Sequence, residues 1–267
     1  MMKKIFIKLL ISVTILIIVF IGVMFMFQEK QIFFPEKLDK SFQFDFDQKF
    51  EEIFIKTDDE SDLHGILFPV ENSKGMIFYL HGNAGSLRTW GNVAETYTDM
   101  GYDIFILDYR GYGKSGGEIS SEKQLYSDVQ TAYNELKKRY DEKEIIVLGY
   151  SIGSGPAAKI ASDNNPKLLI LQAPYYNLPN LMRRHYPLVP GFFLKYKFRT
   201  DLFIKNCKMP MVIFHGDKDE VIYYGSSLKL QKLFKPGDRL ITLKGQMHNG
   251  ITDNPEYKIN LIKILEN

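Results

Sequence analysis

The sequence predicts an α/β fold, a mostly parallel central sheet flanked by helices, with an N-terminal transmembrane helix and a small cap insertion. From about residue 50 onward, short apolar runs alternate with helical patterns, as in successive βαβ units. Two strand patterns joined by the turn-rich segment "DDESD" come first and indicate an antiparallel edge. Near the N-terminus, an uncharged run of about 19 residues is long enough to cross a bilayer.

The composition is that of an ordinary globular chain. The 267 residues suffice for one large α/β domain or two small ones, and the formal net charge is +2. Because this charge is small, the chain lacks the excess of positive charge typical of nucleic-acid-binding proteins, and no nucleic-acid partner is expected. Cys207 is the single cysteine. It cannot form an intrachain disulfide, and we interpret it as a core residue rather than a nucleophile.

The N-terminal segment predicts a single-pass membrane anchor over residues 1–30. Its uncharged run, 9–27, would form about 28 Å of helix, which matches a hydrocarbon core of about 30 Å. A cleaved signal peptide is the alternative, but its apolar core is usually shorter and ends in small residues, whereas this run ends "VMFMFQEK". Lys3, Lys4 and Lys8 precede the run. We therefore predict an uncleaved signal anchor with the basic tail inside and the following domain on the extracytoplasmic side.

A connector is expected over 31–48 and the α/β domain over 49–267. A stretch rich in aromatic residues, prolines and arginines interrupts the alternation and predicts a cap insertion at about 174–206. Strand patterns occupy 49–57, 63–70, 75–82, 102–109, 144–150, 167–174, 210–216 and 239–243, and the clearest helical patterns occupy 121–140, 223–234 and 255–266. In open parallel sheets, chemistry gathers at the carboxyl ends of the strands.

Ser151 is the candidate nucleophile. In "GYSIG" it stands between Gly149 and Gly153, after a strand pattern and before a helical one. A serine at the tip of so tight a turn needs a strained backbone, and the residues two positions away must lack bulk. A serine hydroxyl also needs a base, and the base needs an orienting carboxylate.

His248 is the candidate base, because it lies in the loop between the last strand pattern and the last helical pattern. Three carboxylates, Asp217, Asp219 and Glu220, follow the strand pattern at 210–216. Asp219 is the preferred acid, since it lies far enough beyond the strand end to reach the His248 loop, and Asp217 is the alternative. His215 ends that strand pattern and is expected to buttress the turn.

The oxyanion that forms in acyl transfer needs two backbone donors. One is expected from Ile152, directly after Ser151. The other is expected from "HGNAGS", which follows the first central strand pattern, and comes from Asn83 or its neighbour Ala84.

Five motifs, "HGNAGS", "DYRGYGKSGG", "GYSIGSG", "HGDKDEVI" and "GQMHNG", occur in this order. Together they resemble the α/β-hydrolase superfamily over about residues 50–267, and most closely its serine-aminopeptidase/lysophospholipase-like branch, which includes acyl-protein thioesterases. The resemblance implies the α/β-hydrolase fold, with Ser151 as nucleophile, Asp219 as acid and His248 as base. It also implies Asn83 and Ile152 as the oxyanion positions.

These residues predict a membrane-anchored serine hydrolase that cleaves ester or thioester bonds of a small-molecule or lipid-like acyl substrate through an acyl-enzyme. Such chemistry needs no metal and no organic cofactor, so none is expected. A serine aminopeptidase-like amide hydrolase and a catalytically inactive binding protein on the same fold are the alternatives. The aromatic residues of the predicted cap either line an acyl pocket or merely cover the sheet, and they include Tyr176, Phe192, Phe193, Tyr196 and Phe198.

A nicotinamide enzyme is disfavoured. "GYGKSG" fits a dinucleotide-binding glycine pattern but does not open directly into a helical pattern. "GSGPAA" fits it too, but the next strand pattern ends "LILQAP" without the expected carboxylate. Arg110, in the same motif as the first pattern, is expected to be structural.

Overall fold

A computed structural model describes residues 2–187 and 190–266. Residue 1 of the predicted anchor, residues 188 and 189 of the predicted cap and residue 267 lie outside the described residues. The strands are β1 (Phe34–Pro35), β2 (Glu51–Lys56), β3 (Asp62–Phe68), β4 (Met76–Leu80), β5 (Ala84–Gly85), β6 (Asp103–Asp108), β7 (Ile145–Tyr150), β8 (Leu168–Gln172), β9 (Met211–Gly216) and β10 (Arg239–Leu243). The helices are α1 (Met2–Met26), α2 (Gln28–Ile32), α3 (Leu87–Trp90), α4 (Ala94–Thr98), α5 (Glu122–Leu136), α6 (Ser154–Asp163), α7 (Leu178–His185), α8 (Thr200–Phe203), α9 (Gly225–Gln231) and α10 (Pro255–Leu265).

An eight-stranded sheet forms the centre of the fold, in the order β10-β9-β8-β7-β4-β6-β3-β2. The strands from β10 to β6 pair in parallel, whereas β6 with β3 and β3 with β2 pair antiparallel. The predicted α/β class, with a mostly parallel sheet and an antiparallel edge, is therefore confirmed.

The central strands are apolar throughout because helices cover both faces of the sheet. All five residues of β4 are buried. Phe78 packs into a core with side chains of α5 and α6, whereas its neighbour Tyr79 packs into a second core with α4 and α10. Helix α5 follows the predicted pattern, and the Ser121 side chain caps it by accepting from the backbone N–H of Gln124.

Helix α1 is long and apolar enough to cross a membrane, and none of the described side chains in its most hydrophobic stretch is buried. This supports the predicted transmembrane helix by length and composition. The predicted connector, which follows α1, contains β1. This strand pairs in parallel with β5, a pairing that the sequence pattern did not indicate. The rings of Phe46, in the connector, and Phe50, just after it, contact Phe68 of β3, and Phe44 stacks on Phe46. The predicted boundaries between anchor, connector and α/β domain stay predictions.

Between β8 and β9 the chain forms α7, a short 3-10 turn over Gly191–Phe193, and α8. The predicted cap insertion falls in this region, and its limits stay a prediction. Its aromatic residues do not share one environment. Tyr196 and Phe198 are fully buried against the rest of the domain, whereas Phe192 is 75% exposed.

Arg110 holds together three parts of the chain, as its expected structural role requires. Its guanidinium donates to both carboxylate oxygens of Asp128 on α5, at 2.7 and 2.8 Å. It also donates to both oxygens of Asp59 in the β2–β3 turn, at 2.8 and 2.7 Å. Burial raises the pKa of Asp128 although the Arg110 guanidinium opposes this shift. The buried pair is therefore sensitive to removal of either partner.

We expect Arg110→Met to lower the free energy of unfolding by about 3 kcal/mol, because Asp128 loses its counter-charge in a buried site. Urea denaturation of the detergent-solubilised full-length chain measures this. The matched control is Arg139→Met, since Arg139 pairs with Glu51 at the surface and such pairs contribute about 1 kcal/mol or less. Equal losses in the two variants would contradict the structural role of Arg110.

Candidate active site

The turn that carries Ser151 joins β7 to α6 through a 3-10 turn over Ser151–Gly153. Ser151 has a φ of 53°, in the left-handed region that a non-glycine residue rarely adopts. A Cβ at Gly149 would lie 2.5 Å from the Cβ of Ala157, and one at Gly153 would clash with the carbonyl oxygens of Leu80 and His81. Both flanking glycines are thus required by close packing.

Ser154, the other serine of this motif, has a different environment. It is fully buried, and its hydroxyl donates to the backbone carbonyl of Ser151 at 2.6 Å. We interpret Ser154 as a residue that holds the strained turn.

Ser151, His248 and Asp219 form one hydrogen-bonded chain. The Nε2 of His248 lies 3.0 Å from the Oγ of Ser151, and its Nδ1 lies 2.7 Å from an oxygen of Asp219. An ionised carboxylate only accepts hydrogen bonds, so Nδ1 carries the proton and Nε2 accepts from the serine hydroxyl. This is the tautomer in which an imidazole can remove a proton from serine.

Asp219 is held in place and kept ionised by its partners. One of its oxygens accepts from the backbone N–H groups of Val221 and Ile222, at 2.9 and 2.7 Å. The other lies 3.2 Å from the Nε2 of His215. Burial of Asp219 acts to raise its pKa, but the hydrogen bonds from His215 and His248 outweigh it and hold the pKa well below its usual range.

The two competing carboxylates lie elsewhere in the same loops. Asp217 accepts from the backbone N–H of Gly245 at 2.7 Å, and so supports the turn after β10. Glu220 accepts from the backbone N–H of His248 at 3.2 Å, and the Tyr150 hydroxyl donates to the His248 carbonyl at 2.5 Å. Sequence reasoning considered Glu220 only as a competing acid and assigned no role to Tyr150, whereas here both residues position the histidine loop.

The expected oxyanion positions border the same cavity as Ser151. Asn83, Ala84 and Ile152 all border the cavity into which Ser151 and His248 open. The Tyr112 hydroxyl donates to the Asn83 carbonyl at 2.7 Å, and the indole N–H of Trp90 donates to the Ala84 carbonyl at 2.8 Å. Both contacts fix the backbone of the "HGNAGS" loop.

Asp108 is a buried support for this loop that the sequence did not reveal. Its carboxylate accepts from the backbone N–H of Leu87, at the start of α3, and lies 3.3 Å from the Nε2 of His81. The sequence does not distinguish a catalytic acidic residue at a strand end from one that only holds a loop in place. Only the fold brings Asp108 behind the loop rather than to the cavity.

The cavity has a volume of about 690 Å³, within the range of small-molecule sites. Residues of α1, α2 and the cap region form much of its apolar wall, and Phe193 is the one expected aromatic residue among the described lining residues. No Asp or Glu lines the cavity in the described parts of the chain.

Neither a metal site nor a reactive thiol accompanies this cavity in the described ranges. No group of three or more His, Cys, Asp or Glu residues there is arranged to hold a metal ion. Cys207 is buried, and burial raises the pKa of its thiol to about 12. Cys207 is therefore a core residue, as the sequence indicated.

Known proteins resemble this chain in sequence. Residues 71–203 match the family described as serine aminopeptidase, S33. "Lysophosphatidylserine lipase ABHD12" of Macaca fascicularis is 30% identical over 62% of this chain and 46% of its own length. "Alpha/beta hydrolase domain-containing protein 17B" of Xenopus tropicalis is 31% identical over 70% of this chain and 64% of its own length. The chain thus spans about half to two thirds of these relatives.

Solved structures share the fold at lower identity. An esterase of Pyrococcus furiosus superposes with a TM-score of 0.69 at 20% identity, over 88% of this chain and 97% of its own. Est1E of Butyrivibrio proteoclasticus, solved with ferulic acid bound, gives a TM-score of 0.67 at 21% identity, over 80% of this chain and 100% of its own. These structural likenesses show the fold. The sequence matches show that the chain belongs to the α/β-hydrolase superfamily, in its lysophospholipase- and thioesterase-like branch.

Proposed function

We propose that this chain is a membrane-anchored serine hydrolase that cleaves ester or thioester bonds of acyl substrates. The observation that carries the proposal is the hydrogen-bonded chain from Asp219 through His248 to Ser151 at the wall of an apolar cavity. The relatives named as a lipase and the neighbours named as esterases support the same reaction class.

In the proposed mechanism, the Oγ of Ser151 attacks the substrate carbonyl while the Nε2 of His248 takes its proton. The ionised Asp219 stabilises the imidazolium that forms. The backbone N–H groups of Ile152 and Asn83 stabilise the oxyanion. His248 then protonates the leaving alcohol or thiol, and a water molecule releases the acyl group from Ser151 by the same steps.

The composition of the cavity favours an acyl ester over a peptide with a free N-terminus. An aminopeptidase must hold a substrate ammonium group, for which a carboxylate is the natural partner. The described lining residues include no carboxylate and are mostly apolar. An acyl chain fits such a wall because burying it removes apolar surface from water.

We also infer that α1 spans the membrane and that the α/β domain lies on the extracytoplasmic side. Lys3, Lys4 and Lys8 give the short N-terminal tail its positive charge. Such tails tend to stay on the cytoplasmic side, whereas long following domains cross largely regardless of charge.

We expect Ser151→Ala to lower kcat for p-nitrophenyl butyrate by about 10⁴- to 10⁶-fold, because the nucleophile is removed. A fluorophosphonate probe should label the wild-type chain and leave this variant unlabelled. Ser162→Ala, at the far end of α6, is the matched control and should keep both label and activity. A folded wild-type chain without label or hydrolysis would favour an inactive binding protein.

We expect the ionised Asp219 to make stability depend on acid pH. Its pKa is lower in the folded than in the unfolded chain, so the unfolded chain takes up a proton first and the free energy of unfolding falls as pH drops below about 4. In Asp219→Asn this contribution is absent. Urea titrations between about pH 5 and pH 3 should therefore show a shallower decline in the variant, and an identical slope would count against the ionised carboxylate.

We expect α1 to resist extraction by alkaline carbonate and the domain to be accessible from outside. In intact cells, an impermeant maleimide should label Lys232→Cys, an exposed position in the α/β domain. Lys3→Cys, in the tail, should be labelled only after permeabilisation. The native Cys207 is buried and gives little background. The reverse labelling pattern would contradict the orientation, and release by carbonate would contradict the span.

A further inference from the structure

The cavity beside Ser151 has a wall that comes from the N-terminal helix. Phe20, Ile21, Met24 and Phe25 of α1 line it. Their spacing puts them on one face of the helix. Helix α1 therefore reaches the site, rather than only connecting the domain to a membrane.

Specific hydrogen bonds fix the segment that follows α1 against the cap region. The buried side chain of Gln28, at the start of α2, donates to the Phe193 carbonyl at 2.5 Å and accepts from the Lys195 backbone N–H at 2.9 Å. Next to it, the Lys195 ammonium lies 3.2 Å from a Glu29 oxygen. Because a buried amide with both groups satisfied is costly to displace, these contacts set the rotation of the chain that follows α1.

The segment that follows α1 is also joined to the "HGNAGS" loop. Strand β1 pairs with β5, and the Glu36 backbone N–H donates to the Gly85 carbonyl at 2.9 Å. The Ser86 hydroxyl donates to the Glu36 carboxylate at 2.8 Å. Residues 28–36 thus connect the helical wall, the cap region and the loop beside Ser151 in one continuous stretch of chain.

The lining face of α1 lies within the uncharged run 9–27. Phe20 lies about 9 Å along the helix axis from Met26, where α1 ends. If α1 spans a bilayer, this part of the cavity wall lies at the depth of the acyl chains. An acyl chain could then pass from the bilayer to Ser151 along α1 without crossing water.

We propose that the Phe20–Phe25 face of α1 is the acyl-selecting wall of the site, and that the substrate is a long-chain acyl ester resident in the same bilayer as the helix. This inference rests on the proposed hydrolase function. The anchor then supplies specificity as well as attachment, because the far end of the acyl chain packs against it. Short, water-soluble esters reach Ser151 but gain nothing from this wall.

The test compares two methionines on the same helix. Met24 lines the cavity, whereas Met26 is 68% exposed and is not among the lining residues. Full-length wild type, Met24→Trp and Met26→Trp are reconstituted in phosphatidylcholine vesicles. The measured quantity is kcat/KM for p-nitrophenyl palmitate divided by kcat/KM for p-nitrophenyl butyrate.

We expect Met24→Trp to lower this ratio about tenfold, since the larger side chain displaces roughly two methylene groups of a long chain from the wall. Met26→Trp should leave the ratio at the wild-type value. If Met24→Trp does not insert, Ile21→Trp with Val23→Trp as its control repeats the comparison, because only Ile21 lines the cavity.

Equal palmitate-to-butyrate ratios in the lining and control variants would overturn the inference about α1. The proposed hydrolase function would still hold if hydrolysis by the wild type depended on Ser151. Parallel loss of butyrate and palmitate hydrolysis in Met24→Trp would overturn the inference about α1 too, since that pattern shows damage to the catalytic centre. A wild-type chain that hydrolyses neither ester would overturn the proposed function and this inference with it.

Discussion

The left-handed backbone at Ser151 is the constraint on which the site depends. A φ of 53° is unfavourable for serine. Such a strained backbone persists only where the surrounding structure holds it in that conformation. Gly149 and Gly153 allow β7 and α6 to approach the neighbouring backbone closely. The turn lifts the hydroxyl to the cavity, where the His248 loop can meet it.

The second requirement is that loops after two other strands meet this turn. Strand β8 lies between β7 and β9, so the Asp219 loop has to reach across it. The backbone N–H groups of Val221 and Ile222 turn the loop back onto the carboxylate, and His215 packs beneath it. The low pKa of Asp219 is the electrostatic result of this convergence of donors.

Much of the fold could be predicted because its signals are local. Each strand of the large sheet lies under a predicted strand pattern, since burial on both faces makes the central strands continuous apolar runs. The pairing of β1 with β5 could not be predicted, because two-residue strands carry no periodicity and depend on backbone contacts between distant segments. The five-motif order pointed to the residues that meet at Ser151.

The residues that support the site and those that line its cavity could not be predicted from local sequence patterns. Asp108 acts through contacts with Leu87 and His81 that exist only after β6 and β4 have paired. The cavity wall combines Phe20 with Phe193, which no local pattern relates. Apolar residues in an anchor are expected to face lipid, so their composition does not distinguish a residue that only anchors from one that also lines a site.

If α1 is both anchor and wall, as proposed, its contacts with the substrate contribute to catalysis as well as to attachment. Contacts far from the reacting carbonyl accelerate catalysis only when they help to orient that carbonyl in the transition state. Residues 28–36 are bonded to the cap region at one end and to the "HGNAGS" loop at the other. Under the proposal, an acyl chain that contacts α1 contacts an element that residues 28–36 join by hydrogen bonds to the "HGNAGS" loop. Under the proposed function, removing α1 to obtain a soluble domain would take away part of the substrate site together with the membrane attachment.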